Sequence, residues 1–101
     1  MFVYLIKTKN SQQYKIGIGK DVRKRIKELQ TGNPEELILV YSYPTQYASK
    51  VETTLHNCYN YLNEKGEWFK FDIRIEIEFL EFCKRIEENI TYLKNSGNIF
   101  I

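Results

Sequence analysis

The chain has 101 residues, of which 43% are hydrophobic, 28% charged and 15% aromatic, and its formal net charge is +2. That size supports one hydrophobic core and excludes a multi-domain organisation, while charges from Lys7 onward interrupt every bilayer-length apolar window, so no membrane span is predicted. The charge is uneven: residues 1–50 hold nine Lys/Arg against four Asp/Glu and residues 51–101 hold six against nine, which suits phosphate at one end and a cation at the other.

In chain order, FVYLIK at 2–7 and YKIGI at 14–18 are rich in β-branched and aromatic residues and are joined by a polar stretch, the pattern of a hairpin. Both strands are apolar on both faces, so the hairpin is expected inside a sheet that helices cover. Asp21 offers an N-cap, and Val22, Ile26 and Leu29 keep helical spacing until Thr31-Gly32-Asn33-Pro34, which predicts a first helix over about 21–30. ELILVYSY at 36–43 is a third strand stopped by Pro44, and Thr45 is placed to cap a helix after it. Ala48, Val51, Leu55, Cys58, Tyr59 and Leu62 outline that second helix from Gln46 to about Leu62, with Gly66 just past its end. Trp68-Phe69-Lys70-Phe71 is a brief extended segment. Ile75, Phe79, Phe82, Cys83, Ile86, Ile90 and Leu93 then mark a long amphipathic helix that Asn95-Ser96-Gly97-Asn98 breaks. Ile99-Phe100-Ile101 is a candidate edge strand or a fraying end. The order β-β-α-β-α-β-α predicts an α+β sandwich with a mostly antiparallel sheet of three to four strands flanked by about three helices, all in one domain over 1–101. Cys58 and Cys83 lack metal or redox spacing, sit in apolar helical patterns and are expected to be buried, reduced thiols. With no secretory pattern at the start of the chain, they predict an intracellular protein.

A step of 100° per residue places Arg25 only about 40° outside the apolar sector of the first helix, whereas Arg23, Lys24 and Lys27 point elsewhere. A solvated face accounts for those three. Arg25 leans towards the sheet, where a guanidinium takes an internal carboxylate, the commoner case, or an external oxyanion such as phosphate. On the second helix Glu52 borders the apolar stripe, and His56 shares its edge one turn later. Glu and His at this spacing can ligate a metal, although a packing or hydrogen-bonding role for His56 is the commoner one. Lys15, Lys20, Arg23, Lys24, Arg25 and Lys27 lie within residues 15–27 against the single acid Asp21, a cluster suited to phosphate. Gly17-x-Gly19 follows a hairpin and is too short for a dinucleotide fingerprint.

Together these residues resemble the GIY-YIG endonuclease superfamily. Val3-Tyr4-Leu5 stands where the GIY strand ends in its tyrosine, and Lys15-Ile16-Gly17 stands where YIG is expected. Ile18 to Ile26 matches the strand-to-helix passage and places Arg25 at the catalytic arginine. Leu29-Gln30-Thr31-Gly32-Asn33-Pro34, Val51-Glu52-x-x-Leu55-His56 and Gly66-Glu67-Trp68-Phe69 are similar to a phage and viral branch in which YIG becomes KIG. The match covers residues 2–72, leaving a C-terminal helix and tail over 73–101. The resemblance implies a Mg2+- or Mn2+-dependent hydrolase of DNA phosphodiester bonds. In it Tyr4 activates or orients the attacking water, Arg25 stabilises charge on the phosphoryl oxygens and Glu52 holds the metal, chemistry that needs neutralisation more than a covalent nucleophile. Lys15, in place of the second tyrosine, joins the implied catalytic set; Tyr14 and His56 are expected around it, and Lys20, Arg23, Lys24 and Lys27 are expected on the nucleic acid.

One turn after Arg25 the better-known members carry His or Tyr, whereas this chain has Leu29. Two alternatives therefore stand beside the nuclease. One is a nucleic-acid-binding module that kept the fold without catalysis. The other is a protein-interaction domain in which Arg25 and Glu52 pair with each other. The acidic positions of the last helix, Glu76, Glu78, Glu81, Glu87 and Glu88, make it an unlikely DNA surface and a candidate to pack on the sheet or on a second subunit.

Overall fold

A computed structural model describes residues 1–97; the candidate strand at Ile99-Phe100-Ile101 lies outside the described residues. Strands β1 (Phe2–Thr8) and β2 (Gln13–Gly19) form the expected hairpin, with Tyr4 opposite Gly17 and Leu5 opposite Ile16. Helix α1 (Val22–Thr31) begins at Asp21, whose carboxylate accepts the backbone N–H of Lys24 at 3.1 Å. Strand β3 (Leu37–Pro44) pairs antiparallel with β1 on the side away from β2. Helix α2 (Ala48–Cys58) and a single 3-10 turn (Asn60–Leu62) lead into strands β4 (Asn63–Lys65) and β5 (Trp68–Lys70), and the long helix α3 (Ile73–Asn95) comes last, capped by Asp72.

The sheet has five antiparallel strands in the order β3-β1-β2-β5-β4, so the apolar hairpin is central, as its two-sided pattern requires. Strand alternation splits its side chains between two cores. Val3, Leu5, Tyr14 and Ile16 pack with Val51 and Leu55 of α2 and Phe79, Cys83 and Ile86 of α3, whereas Tyr4 and Ile6 pack on the other face with Val22, Ile26 and Leu29 of α1 and with Trp68. No helix among the described residues is long and apolar enough to cross a membrane.

Three expectations are corrected. The second helix stops at Cys58; Leu62 still reaches the core because the 3-10 turn carries it there. Gly66, with φ 59°, does not end a helix but turns the β4–β5 hairpin, in which Asn63 Nδ2 donates to the Gly66 and Trp68 carbonyls at 2.7 and 3.1 Å. Cys58 is exposed, since the chain turns after it and buries Tyr59 against Phe71 and Phe82 instead; only Cys83 is buried. Helix α3 packs on the sheet, one of the two placements its apolar stripe allowed, and two of its acids hold it there. Glu76 accepts from Tyr14 Oη at 2.7 Å and from Lys7 Nζ at 3.0 Å, and Glu87 accepts from the Tyr43 and Thr45 hydroxyls, so these two carboxylates fasten α3 to the sheet.

Candidate functional site

Strand β5 pairs with β2 only over Gln13–Lys15, so beyond Lys15 the β2 edge has no strand partner. Its next acceptor, the Ile16 carbonyl, is met by the His56 ring of α2, with Nε2 at 3.0 Å. A carbonyl only accepts, so Nε2 carries the proton in this contact, and in the neutral tautomer that fits it Nδ1 keeps its lone pair. The ring is held edge-on against Phe69 with centroids 5.0 Å apart. A backbone edge left open by a short neighbouring strand is thus where the helix on one face meets groups from the other.

From α2 come Glu52 and His56, one turn apart. From the β4–β5 turn comes Glu67. One ligand atom from each of these three residues lies within 4.8 Å of the others. Burial and the neighbouring Glu67 charge raise the Glu52 pKa above its ordinary value, against smaller opposing effects of His56 and Lys15. Lys15, only 6% exposed, forms an ion pair with Glu67 and lies over the Trp68 ring, 5.8 Å from its centroid. Its ammonium therefore serves a carboxylate of the cluster and is not presented to solvent.

From the opposite face comes Tyr4, 1% exposed, with its ring laid over the Gly17 backbone opposite it. A Cβ on Gly17 would fall 2.3 Å from the Tyr4 Oη, so glycine is required for the ring to lie there. The hydroxyl adjoins the Arg25 guanidinium, and this contact raises the Arg25 pKa. Burial outweighs Arg25 and raises the Tyr4 pKa as well, helped by the charges of Glu67 and Glu52, which both reach the hydroxyl. Tyr4 is therefore a neutral phenol near pH 7 and a poor base. Arg25 pairs with Glu28 of its own helix at 3.3 Å and not with Glu52; both members are about half exposed, 46% and 51%, so the pair is weak and open to exchange for an external anion.

The structure thus brings Tyr4, Arg25, Lys15, Glu52 and His56 to one region and adds Glu67, to which the sequence alone assigns no role although it lies in the Gly66–Phe69 motif. Tyr14 does not join them. It points to the other face of β2, stacks on Phe71 with centroids 5.4 Å apart and donates to Glu76 of α3, as alternation from Lys15 demands. Lys20, Arg23, Lys24 and Lys27 are exposed on α1 and the segment leading into it, beside Arg25. Leu29 packs in the core under α1 and offers no proton-transfer group.

No curated protein and no solved structure matches the chain. The T5orf172 domain matches residues 1–87, a span that runs from the Tyr4 strand through every residue of the site and well into α3, and the chain therefore belongs to the T5orf172 domain family, which is associated with GIY-YIG- and HNH-like phage endonucleases.

Proposed function

We propose that the protein is a divalent-metal-dependent endonuclease that hydrolyses DNA phosphodiester bonds at a site of the GIY-YIG type. The observation that supports this reading is that an exchangeable guanidinium, Arg25, and the carboxylates Glu67 and Glu52 of the cluster all act on the Tyr4 hydroxyl. Phosphoryl transfer needs positive charge on the non-bridging oxygens and a fixed line of attack. Arg25 supplies the charge: an incoming phosphate displaces Glu28 from a half-exposed surface pair at little cost. Tyr4, buried and with its pKa raised, orients the guanidinium and donates or accepts one hydrogen bond at the site. Lys20, Arg23, Lys24 and Lys27 extend the positive surface along which a DNA backbone is held.

A carboxylate such as Glu52 fits the metal that such a nuclease uses, Mg2+ or Mn2+, as its first ligand. When bound, a divalent cation there polarises the scissile phosphate and neutralises the leaving oxygen. Plasmid nicking tests the reading. Purified protein is expected to nick supercoiled DNA only with added divalent metal, and Glu52→Gln is expected to lose at least about 100-fold in rate with an unchanged circular-dichroism spectrum. Absence of nicking, or nicking that Glu52→Gln leaves intact, refutes it. The packing of Leu29 in the core favours a second reading, a binding module without catalysis. Its mark is salt-sensitive DNA binding with no cleavage under any metal.

A further inference from the structure

We propose that Glu67 and His56 join Glu52 as protein ligands of one cation, and that this imidazole and two-carboxylate set selects a first-row transition metal over Mg2+. The inference rests on the endonuclease reading only for the metal's purpose; the ligand set is argued from geometry. Metal–ligand bonds of about 2.0–2.2 Å put ligand atoms up to about 4.3 Å apart around one ion. One donor atom from each of the three residues already lies within 4.8 Å of the other two, close to the spacing one ion requires.

Each ligand is held from behind, as ligands are in built metal sites. The His56 Nε2–H is committed to the Ile16 carbonyl at 3.0 Å, which fixes the tautomer and leaves Nδ1 as the coordinating atom. Glu67 Oε2 is held by the nearly buried Lys15 ammonium, leaving Oε1 for a cation, and the turn that carries Glu67 is pinned by Asn63 around Gly66. Glu52 stands one helical turn from His56 on the same edge of α2, so the two donors face one point.

The chemistry of the set decides which ion it takes. Mg2+ dehydrates reluctantly and is usually held by one or two carboxylates with several waters, so an imidazole nitrogen gains it little. First-row transition ions accept imidazole and carboxylate together, with affinity rising along the series from Mn2+.

His56 is the only histidine in the chain, so its ring gives one unambiguous set of nuclear magnetic resonance signals. Titrating the metal-free full chain with Zn2+ as a diamagnetic probe is expected to shift the Nδ1 resonance strongly and Nε2 weakly. Calorimetry is expected to show Mn2+ binding at least about tenfold tighter than Mg2+, with Glu67→Gln weakening Mn2+ by about 10–100-fold and His56→Gln abolishing the preference. Glu67 is half exposed, so its variant tests the ligand role even where a change at His56 disturbs packing. An unperturbed Nδ1, equal affinity for the two metals, or Mn2+ binding unchanged in Glu67→Gln overturns the inference. Should any of these occur while nicking persists and still depends on Glu52, the ligand set is wrong and the endonuclease stands; no metal binding and no cleavage removes both.

Discussion

Gly17→Ala is the most direct test of the arrangement around Tyr4. The added methyl would lie 2.3 Å from Oη, 2.4 Å from Cζ and 2.9 Å from Cε1 of a ring that is 1% exposed and enclosed by the core under α1. A rigid ring so enclosed has nowhere to swing, and opposed strands cannot separate without breaking the central ladder. Overpacking of this kind costs about 1–3 kcal/mol. At about 4–8 °C per kcal/mol for a chain of this size, melting should fall by about 4–24 °C. The hydroxyl is also pushed away from Arg25, so nicking should fall more than unfolding alone explains. Urea denaturation of four proteins, wild type, Gly17→Ala, Tyr4→Leu and the double variant, isolates the contact. Because the smaller Leu side chain removes the clash, the double variant should recover most of the Gly17→Ala penalty, a coupling of at least about 1 kcal/mol. Gly32→Ala, where an added Cβ meets nothing within 4 Å, is the control and should change stability by less than about 0.5 kcal/mol. A Gly17→Ala protein as stable as the control, or additive energies in the cycle, would refute the stated packing of Tyr4 on Gly17.

The other predictions concern charge and thiols. Burial of the Glu76 carboxyl raises its pKa, but the hydrogen bonds from Tyr14 and Lys7 outweigh this and hold it below the usual carboxylate range. Its stabilising contribution is present above the unfolded value of 4.5 and lost as pH falls through the lower folded value. Glu76→Gln should therefore cost about 1–2 kcal/mol at pH 7 and progressively less in acid, read as urea midpoints across pH. Glu52 has the opposite sign. Its folded pKa is raised, so the protonated form favours the fold, and that advantage is complete below 4.5 and lost as pH rises through the folded value. Glu52→Gln should accordingly be at least as stable as wild type at pH 7, with no advantage in acid; a clear loss of stability at pH 7 contradicts the assignment. Burial pushes the Cys83 thiol up to about 12, whereas Cys58 is exposed, so a thiol reagent should titrate one cysteine in the native protein and the second only on unfolding.

The features legible in the sequence are those that repeat along the chain. The two-sided apolar strands of the hairpin, the spacing of Val22, Ile26 and Leu29, and the stripe from Phe79 to Ile90 each state a period, and the observed elements keep to it. Asn63-Glu64-Lys65 has no period and no apolar residue, so the strand it forms is set by the Gly66 turn and by pairing with Trp68 and Phe69 rather than by its own composition. The inward turn of Glu76 and Glu87 is equally hidden. Their partners Tyr14, Lys7, Tyr43 and Thr45 lie more than forty residues away, and on a helix rich in acids nothing local separates a fastening carboxylate from a solvated one. At the site, Glu52 and His56 are visible as an i, i+4 pair on a helix border. Glu67 is not, because its place depends on where β5 stops along β2.

That stopping point explains why the site sits where it does. A sheet interior satisfies every backbone group and keeps the helices of its two faces apart. Ending β5 at Lys15's partner exposes the β2 edge from Ile16 onward, and the edge has to be satisfied by something other than a strand. His56 does this with one side chain, which brings the border of α2 to the edge and carries Glu52 with it. On the other face the same strand has glycine at position 17, which lets Tyr4 lie flat against the backbone and bring its hydroxyl beside Arg25 of α1. Burial first, and then repulsion from the Glu67 carboxylate drawn to the same edge, raises the Glu52 pKa. Lys15 relieves that repulsion in part through Glu67, and a bound divalent cation would relieve the rest. The missing ladder partner at Ile16, the close approach of Tyr4 to Gly17 and the crowding of acids together gather charge of both signs around the Tyr4 hydroxyl.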